Sequence, residues 1–274
     1  VSVILPFVKG HGTHNDFIVL LDPDNNADLT PEQVRWLCAR HSGLGADGVL
    51  RVVETQSYAA GRDVCPGARY FMDYRNADGT TAEMCGNGIR VFAHVLVRRG
   101  WETNDTFAIG TRGGCMEVTQ LGSDRYAVHL PASADPFGDG FDVVVADSTW
   151  RGVGVLVPNP HVVALVVDLE ALGPLREAPR LDPSPSEGAN VEFVELRAPG
   201  RIAMRVHERG VGETQSCGTG ACAAAWVARL REPARSEWIV EVPGGHLEVM
   251  IHGDDSFTLI GPAEIVAEGV VTIP

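Results

Sequence analysis

The sequence predicts an α+β fold of two pseudo-symmetric halves, each a curled, mostly antiparallel sheet that forms a barrel-like roll around one central helix. Three observations carry this. The phrase Cys85-Gly86-Asn87-Gly88 returns as Cys217-Gly218-Thr219-Gly220, each time opening a helix-forming run. A wider repeat surrounds it. Asn76 maps to Glu208 and Cys85 to Cys217 at a shift of 132, Gly113-Gly114-Cys115-Met116-Glu117-Val118 maps to Gly244-Gly245-His246-Leu247-Glu248-Val249 at 131, and Pro131-Ala132 maps to Pro262-Ala263 at 131. Upstream, Gly45-Ala46-Asp47 maps to Gly188-Ala189-Asn190 at 143 and Asn15 to Asn159 at 144. Ordered matches of this kind mark a duplicated unit. Finally, the strand-like runs are short and often hairpin-linked, which speaks against a doubly wound parallel sheet. The expected halves are residues 1–129, carrying Cys85 and completed by 264–274, and residues 130–263, carrying Cys217, with the active site in the cleft between them.

In chain order, residues 6–16 read as a loop with His11 and His14, followed by a strand at 17–21. Thr30-Pro31 is an N-cap with proline at the first helical position, opening an amphipathic helix to about His41. Residues 43–48 form a glycine turn between helix and strand, the wrong order for a phosphate-binding loop. A strand at 49–53, an exposed loop at 54–67 and a strand at 68–74 deliver the chain to the first cysteine phrase. The helix begun there should end at about Gly100. Strands are expected at 106–109, 115–121, 126–130, 141–145 and 150–157, then at 162–167 after the phrase Pro158-Asn159-Pro160-His161. A proline-rich loop at 178–185 precedes strands at 191–196 and 201–206, and the latter presents His207-Glu208-Arg209-Gly210 to the second phrase.

With 274 residues, 45% of them apolar, the chain can build real cores. No run approaches a membrane span, and the opening Val1-Ser2-Val3-Ile4-Leu5-Pro6 lacks the basic flank and cleavage site of a secretory signal, so a cytoplasmic protein with no membrane partner is expected. A net charge of −14 argues against a nucleic-acid partner. The six cysteines show no Cys-x-x-Cys, so neither a disulfide framework nor a zinc site is expected, and Cys38, Cys65, Cys115 and Cys222 read as small buried hydrophobes. His11 and His14 lack the partners of a metal site.

Cys85 and Cys217 are different. Each sits at a glycine-ringed helix start, a poor place to bury apolar volume, where the helix dipole favours thiolate and draws the thiol toward neutral pKa. Thiols on opposite sides of one bound carbon suit stereoinversion: one removes a proton and the other returns one. The backbone N–H groups of Gly86, Asn87, Gly218 and Thr219 can hold a carboxylate and accept charge as the carbanion forms. Arg209 can grip a carboxylate, Glu208 an ammonium, and amides the remaining polar groups.

Asn76-Ala77-Asp78-Gly79 with Met84-Cys85-Gly86-Asn87-Gly88, Asn159-Pro160-His161, and the run from Glu208-Arg209-Gly210 to Cys217-Gly218-Thr219-Gly220 closely resemble the diaminopimelate epimerase family. The likeness extends from His11-Gly12 to Gly261-Pro262-Ala263. It implies interconversion of LL- and meso-diaminopimelate without cofactor, serving lysine and cell-wall synthesis, in a homodimer. It implies Cys85 and Cys217 as the two bases, Asn15, Asn76, Asn159, Asn190, Glu208 and Arg209 as substrate contacts, and His161 and Glu208 as residues that tune the thiols. His14, Gly48 and Pro158 depart from the family pattern, which often has glycine, glutamine and glycine there. Alternatives are a proline racemase-like enzyme of the same fold and a thiol–disulfide redox protein; a reversible Cys85–Cys217 disulfide is one expectation of facing thiols. A pyridoxal enzyme would have to use Lys9, the only lysine.

Overall fold

The structure, a computed structural model, describes residues 3–131 and 134–274; Val1, Ser2 and Ala132, which entered the sequence argument, lie outside the described residues. Strands dominate and helices are few, so the fold is α+β. The chain divides into two compact units, one reaching to His129 and including Gly261–Pro274, the other Leu130–Ile260.

In the first unit Val3–Gly12 lies between Glu264–Ile273 and Asn15–Leu21, antiparallel to both. Asn15–Leu21 is parallel to Gly48–Glu54, which is antiparallel to Tyr70–Asn76. A parallel step to Thr106–Thr111 and antiparallel steps to Gly114–Gln120 and Arg125–Leu130 follow. The second unit repeats this series. Ser148–Val157 lies between Asp135–Val145 and Asn159–Val166, antiparallel to both. Asn190–Ala198 is parallel to Asn159–Val166, and Arg201–Glu208 is antiparallel to Asn190–Ala198. Glu237–Val242 joins Arg201–Glu208 in parallel, and Gly245–Ile251 and Phe257–Pro262 continue antiparallel.

Register refines the sequence match by one residue. Gly48 pairs with Phe17 and Asn76, while Asn190 pairs with His161 and stands one step beyond the Val191–His207 pair, at the level of Glu208. The strand repeat therefore runs at a shift of 142 here, one less than the Gly-Ala-Asp to Gly-Ala-Asn match. At that shift Leu50 corresponds to Glu192, as Phe17 corresponds to His161.

Among the described residues four α-helices punctuate these strands. α1 (Pro31–Cys38) has the expected Thr30 cap, completed by Gln33 into a capping box, but ends short of His41. Its Val34 and Leu37 pack on Ile18, Leu20 and Val49. α2 (Ala59–Val64) lies in the stretch read as a loop, and its Gly61 packs on Phe71. α3 (Gly86–Arg98) is buried without a break from residue 86 to 93, and α4 (Gly218–Arg229) from 220 to 228, the behaviour of core helices rather than surface ones. α3 packs on Val3–Gly12, Asn15–Leu21, Gly48–Glu54 and Glu264–Ile273, and α4 chiefly on Ser148–Val157, Asn159–Val166, Asn190–Ala198, Arg201–Glu208 and Gly245–Ile251.

Three local readings are corrected. Residues 6–16 form a hairpin, because Val3–Gly12 finds its second partner at the far end of the chain; Thr13 and His14, at φ 48° and 64°, make its turn. The strand expected from residue 162 already begins at Asn159, so Asn159 and His161 lie within it. Cys65 and Cys115 form a disulfide, Cα atoms 5.1 Å apart: Cys115 pairs with Gly110, and Cys65 lies against Gly110 beside Phe71, whose ring takes the space a side chain there would need. Cys38 and Cys222 are buried and Cys85 and Cys217 lie at the helix starts, and none of the four is in a disulfide.

Candidate active site

The site residues foreseen in the sequence fall into two clusters, one in each unit. In the first unit, Cys85 is the N-cap of α3, with extended backbone (φ −141°, ψ 122°) and Sγ accepting the Gly88 N–H at 3.5 Å. The thiol lies 3.6 Å from Asn15 Oδ1, to which it can donate, and the same oxygen accepts from Asn87 Nδ2 at 3.2 Å. Asn15 in turn donates to Asp47 Oδ2 at 2.8 Å. Arg90, wholly buried, fixes the base of this cluster by donating to Asn87 Oδ1 at 3.0 Å and Gly86 C=O at 2.9 Å. Asn76, at the end of its strand, donates to Thr80 Oγ1 at 3.1 Å.

Behind the first cluster, Asp16 holds Lys9 and Arg40. Burial raises its carboxyl pKa, but hydrogen bonds from Arg40 and Lys9 outweigh that and lower it to about 2. Lys9, the sole candidate for a Schiff base, is thus committed to an ion pair with Asp16 and to the Gly45 carbonyl.

In the second unit, Cys217 is the N-cap of α4 with nearly the same geometry (φ −127°, ψ 120°), and its Sγ accepts the Gly220 N–H at 3.4 Å and lies 3.6 Å from Thr219 Oγ1. Its surroundings correct two expectations. The residue is buried, 7% exposed, and its pKa is raised well above the usual thiol value, first by burial, then by the charges of Glu208 and Glu192. The Thr219 hydroxyl and Gly220 N–H pull the other way and lose. The helix start here does not deliver a near-neutral thiol.

Around Cys217, Glu208 Oε1 accepts from Thr214 Oγ1 at 2.5 Å, and Asn190 Oδ1 accepts the Arg209 N–H at 2.9 Å. The Arg209 guanidinium reaches the Glu187 carbonyl. His161 is fully buried, with Nδ1 2.7 Å from Glu192 Oε1 and Nε2 3.1 Å from Asn159 Oδ1. In both units the helix begins immediately after the cysteine, so the N–H groups of Gly86, Asn87, Gly218 and Thr219 belong to a first turn that offers them no helical acceptor. Among the described residues there is no metal-binding group of histidines, cysteines and carboxylates.

A family model for diaminopimelate epimerase matches residues 7–129 and 154–266. The diaminopimelate epimerase of Streptomyces coelicolor is 45% identical over 277 residues, covering 98% of this chain and 96% of that one. That of Corynebacterium glutamicum is 45% identical over 280 residues, covering 99% and 100%. The chain belongs to the diaminopimelate epimerase family.

Solved structures of low identity share the fold. A hydroxyproline epimerase from Agrobacterium vitis, 12% identical, aligns with a TM-score of 0.69 over 98% of this chain and 93% of its own. A PhzF-family protein from Bacillus anthracis, 16% identical, aligns at 0.68 over 98% and 99%.

Against the diaminopimelate epimerase pattern, the departure at Gly48 has a steric reason. A Cβ there would stand 2.8 Å from both the Arg75 carbonyl and the Tyr74 ring, so Tyr74 fills the space a longer side chain would need. His14 adopts a left-handed φ of 64°, the conformation that glycine takes at less cost. Sequence reasoning missed Asp47, Thr214 and Glu192. Asp47 and Glu192 stood inside the repeat, but only strand register shows them aimed at Asn15 and His161.

Proposed function

We propose that this chain interconverts LL- and meso-diaminopimelate by a two-base mechanism without cofactor, with Cys85 and Cys217 as the bases. The observation that carries the reading is the paired N-cap geometry: in each unit a cysteine caps a buried glycine-rich helix and its sulfur accepts a backbone N–H of the first turn. That arrangement stabilises sulfur charge while leaving the thiol able to trade a proton.

The chemistry follows from proton and electron balance. One thiolate takes the α-hydrogen of the amino acid as a proton, and the C–H electron pair spreads into the carboxylate. The developing charge is met by first-turn N–H groups at residues 86, 87, 218 and 219. The second thiol then gives its proton to the opposite face, and the two sulfurs end with exchanged protonation. The raised pKa of Cys217 favours its resting as the thiol, the acid of the pair. Glu208 suits the substrate ammonium, Arg209 a carboxylate, and Asn15, Asn76, Asn159 and Asn190 supply amide donors and acceptors. Serving one carbon from two faces explains why the scaffold is duplicated.

In heavy water the protein should exchange the α-hydrogen of diaminopimelate. Cys85→Ala and Cys217→Ala should each lose epimerisation by at least ~10³-fold. Wild-type rates in either variant would sink the two-base assignment. The same preparation, run by sedimentation, tests the proposed homodimer.

A further inference from the structure

The two units diverge sharply at one pair of core positions. In the first unit Phe17 and Leu50, both wholly buried, line the start of α3: a Cβ on Gly88 would touch Phe17 at 3.3 Å and Leu50 at 3.4 Å. The equivalent strand positions in the second unit hold His161 and Glu192, also wholly buried. There a Cβ on Gly220 would stand 2.6 Å from Glu192 Oε1 and 3.3 Å from Cys217 Sγ. A scaffold that is served by phenylalanine and leucine in one copy does not need an ionisable pair in the other for packing, since buried ion pairs are weak stabilisers.

Glu192 is also incompletely satisfied. Oε1 meets His161 Nδ1, whereas Oε2 is buried with no hydrogen-bond partner among the described residues. Such an orphan costs stability and marks functional use when it persists. The chain of contact runs Glu192 to His161 to the Asn159 amide; a carboxylate that accepts the Nδ1–H holds the ring in that tautomer and orientation, leaving Nε2 as the acceptor for the N–H end of the Asn159 amide. The charged groups acting on the Cys217 sulfur are Glu208 and Glu192, opposed by the Thr219 hydroxyl and Gly220 N–H.

We propose that Glu192 is a positioning residue for the epimerisation: it anchors the His161 ring beside the Asn159 amide and sets its carboxylate against the start of α4, next to Cys217. The proposal rests on the two-base reading for its role in turnover, but its test does not use turnover alone. The probe is iodoacetamide at neutral pH, with alkylation of Cys217 followed by peptide mass mapping, because only the thiolate reacts. Glu192→Gln keeps the shape and removes the charge. Cys217 in that variant should be alkylated several-fold faster than in wild type, because removing a negative charge near the sulfur favours the thiolate. Glu192→Asp keeps the charge but withdraws it from His161. It should leave Cys217 slow to alkylate and raise KM for diaminopimelate several-fold more than it lowers kcat.

A folded Glu192→Gln protein whose Cys217 alkylates within twofold of wild type overturns the proposal, and so does Glu192→Asp with unchanged KM. If Glu192→Gln does not fold, Glu192→Asp alone decides: a low alkylation rate with raised KM supports, and any other outcome overturns. Failure of the two-base reading would appear separately, as active cysteine variants with the alkylation difference intact.

Discussion

Cys85 and Cys217 share a backbone geometry and differ in company. The first lies beside the Asn15 amide oxygen, which also accepts from Asn87; the second feels the carboxylates of Glu208 and Glu192. The second glycine of each phrase records the same difference. A methyl group at Gly88 would meet carbon atoms at 3.3–3.4 Å, which can give way by a few tenths of an ångström. At Gly220 it would stand 2.6 Å from Glu192 Oε1 and must displace a buried carboxylate. Gly220→Ala is therefore expected to cost about 1–3 kcal/mol, as overpacking does, and to remove most epimerase activity. Gly88→Ala should stay within about 1 kcal/mol, helped by alanine's better helix propensity. Urea denaturation of the two variants checks this, and equal losses would contradict the crowding argument. Much at this scale was legible in the sequence: both thiols, the amides and the Glu208-Arg209 pair stood out by repetition. The acidic surroundings of Cys217 did not, because Glu192 is separated from Cys217 by 25 residues in a strand that reads as ordinary β-structure.

At the scale of elements, local chemistry was readable wherever the signal was itself local. Thr30-Pro31 announced α1, and the structure adds the reciprocal Gln33 bonds, Thr30 Oγ1 accepting the Gln33 N–H at 3.3 Å and Gln33 Oε1 accepting the Thr30 N–H at 3.0 Å. Thr30→Ala should lower stability by about 1 kcal/mol without changing the urea m-value. A loss below ~0.3 kcal/mol would mean that the Gln33 half of the box suffices. The hairpin at residues 3–21 was not readable, since Gly10, Gly12, Lys9 and His11 blur the alternation. Its first strand is held by a partner more than 250 residues away. The strand through Asn159 and His161 was hidden by Pro160, which reads locally as a breaker.

Across the molecule, duplication was the most informative signal, and the strand-pairing series of the two units bears it out step by step. What the alignment of short phrases could not give was register, and a single residue there decides that Leu50, not Val49, is the counterpart of Glu192. The Cys65–Cys115 link was likewise out of reach, because it depends on α2 and on two strands meeting at Gly110.

The first unit is also the one that borrows its edge. Val3–Gly12 hydrogen-bonds to Glu264–Ile273, and Val271 and Ile273 sit in one core with Leu5, Ile18 and Val34. On a ribosome this means that the half made first cannot finish first. At ordinary elongation rates its opening strand waits on the order of tens of seconds for the last ten residues to emerge. The second unit is contiguous and owes nothing to that delay. A released chain that ends at residue 263 should thus show protease protection at 135–260 and cleavage within 3–129, and the full chain should close the first region. Equal protection of both regions in the shortened chain would show that the late strand is an ornament to the first unit rather than its keystone.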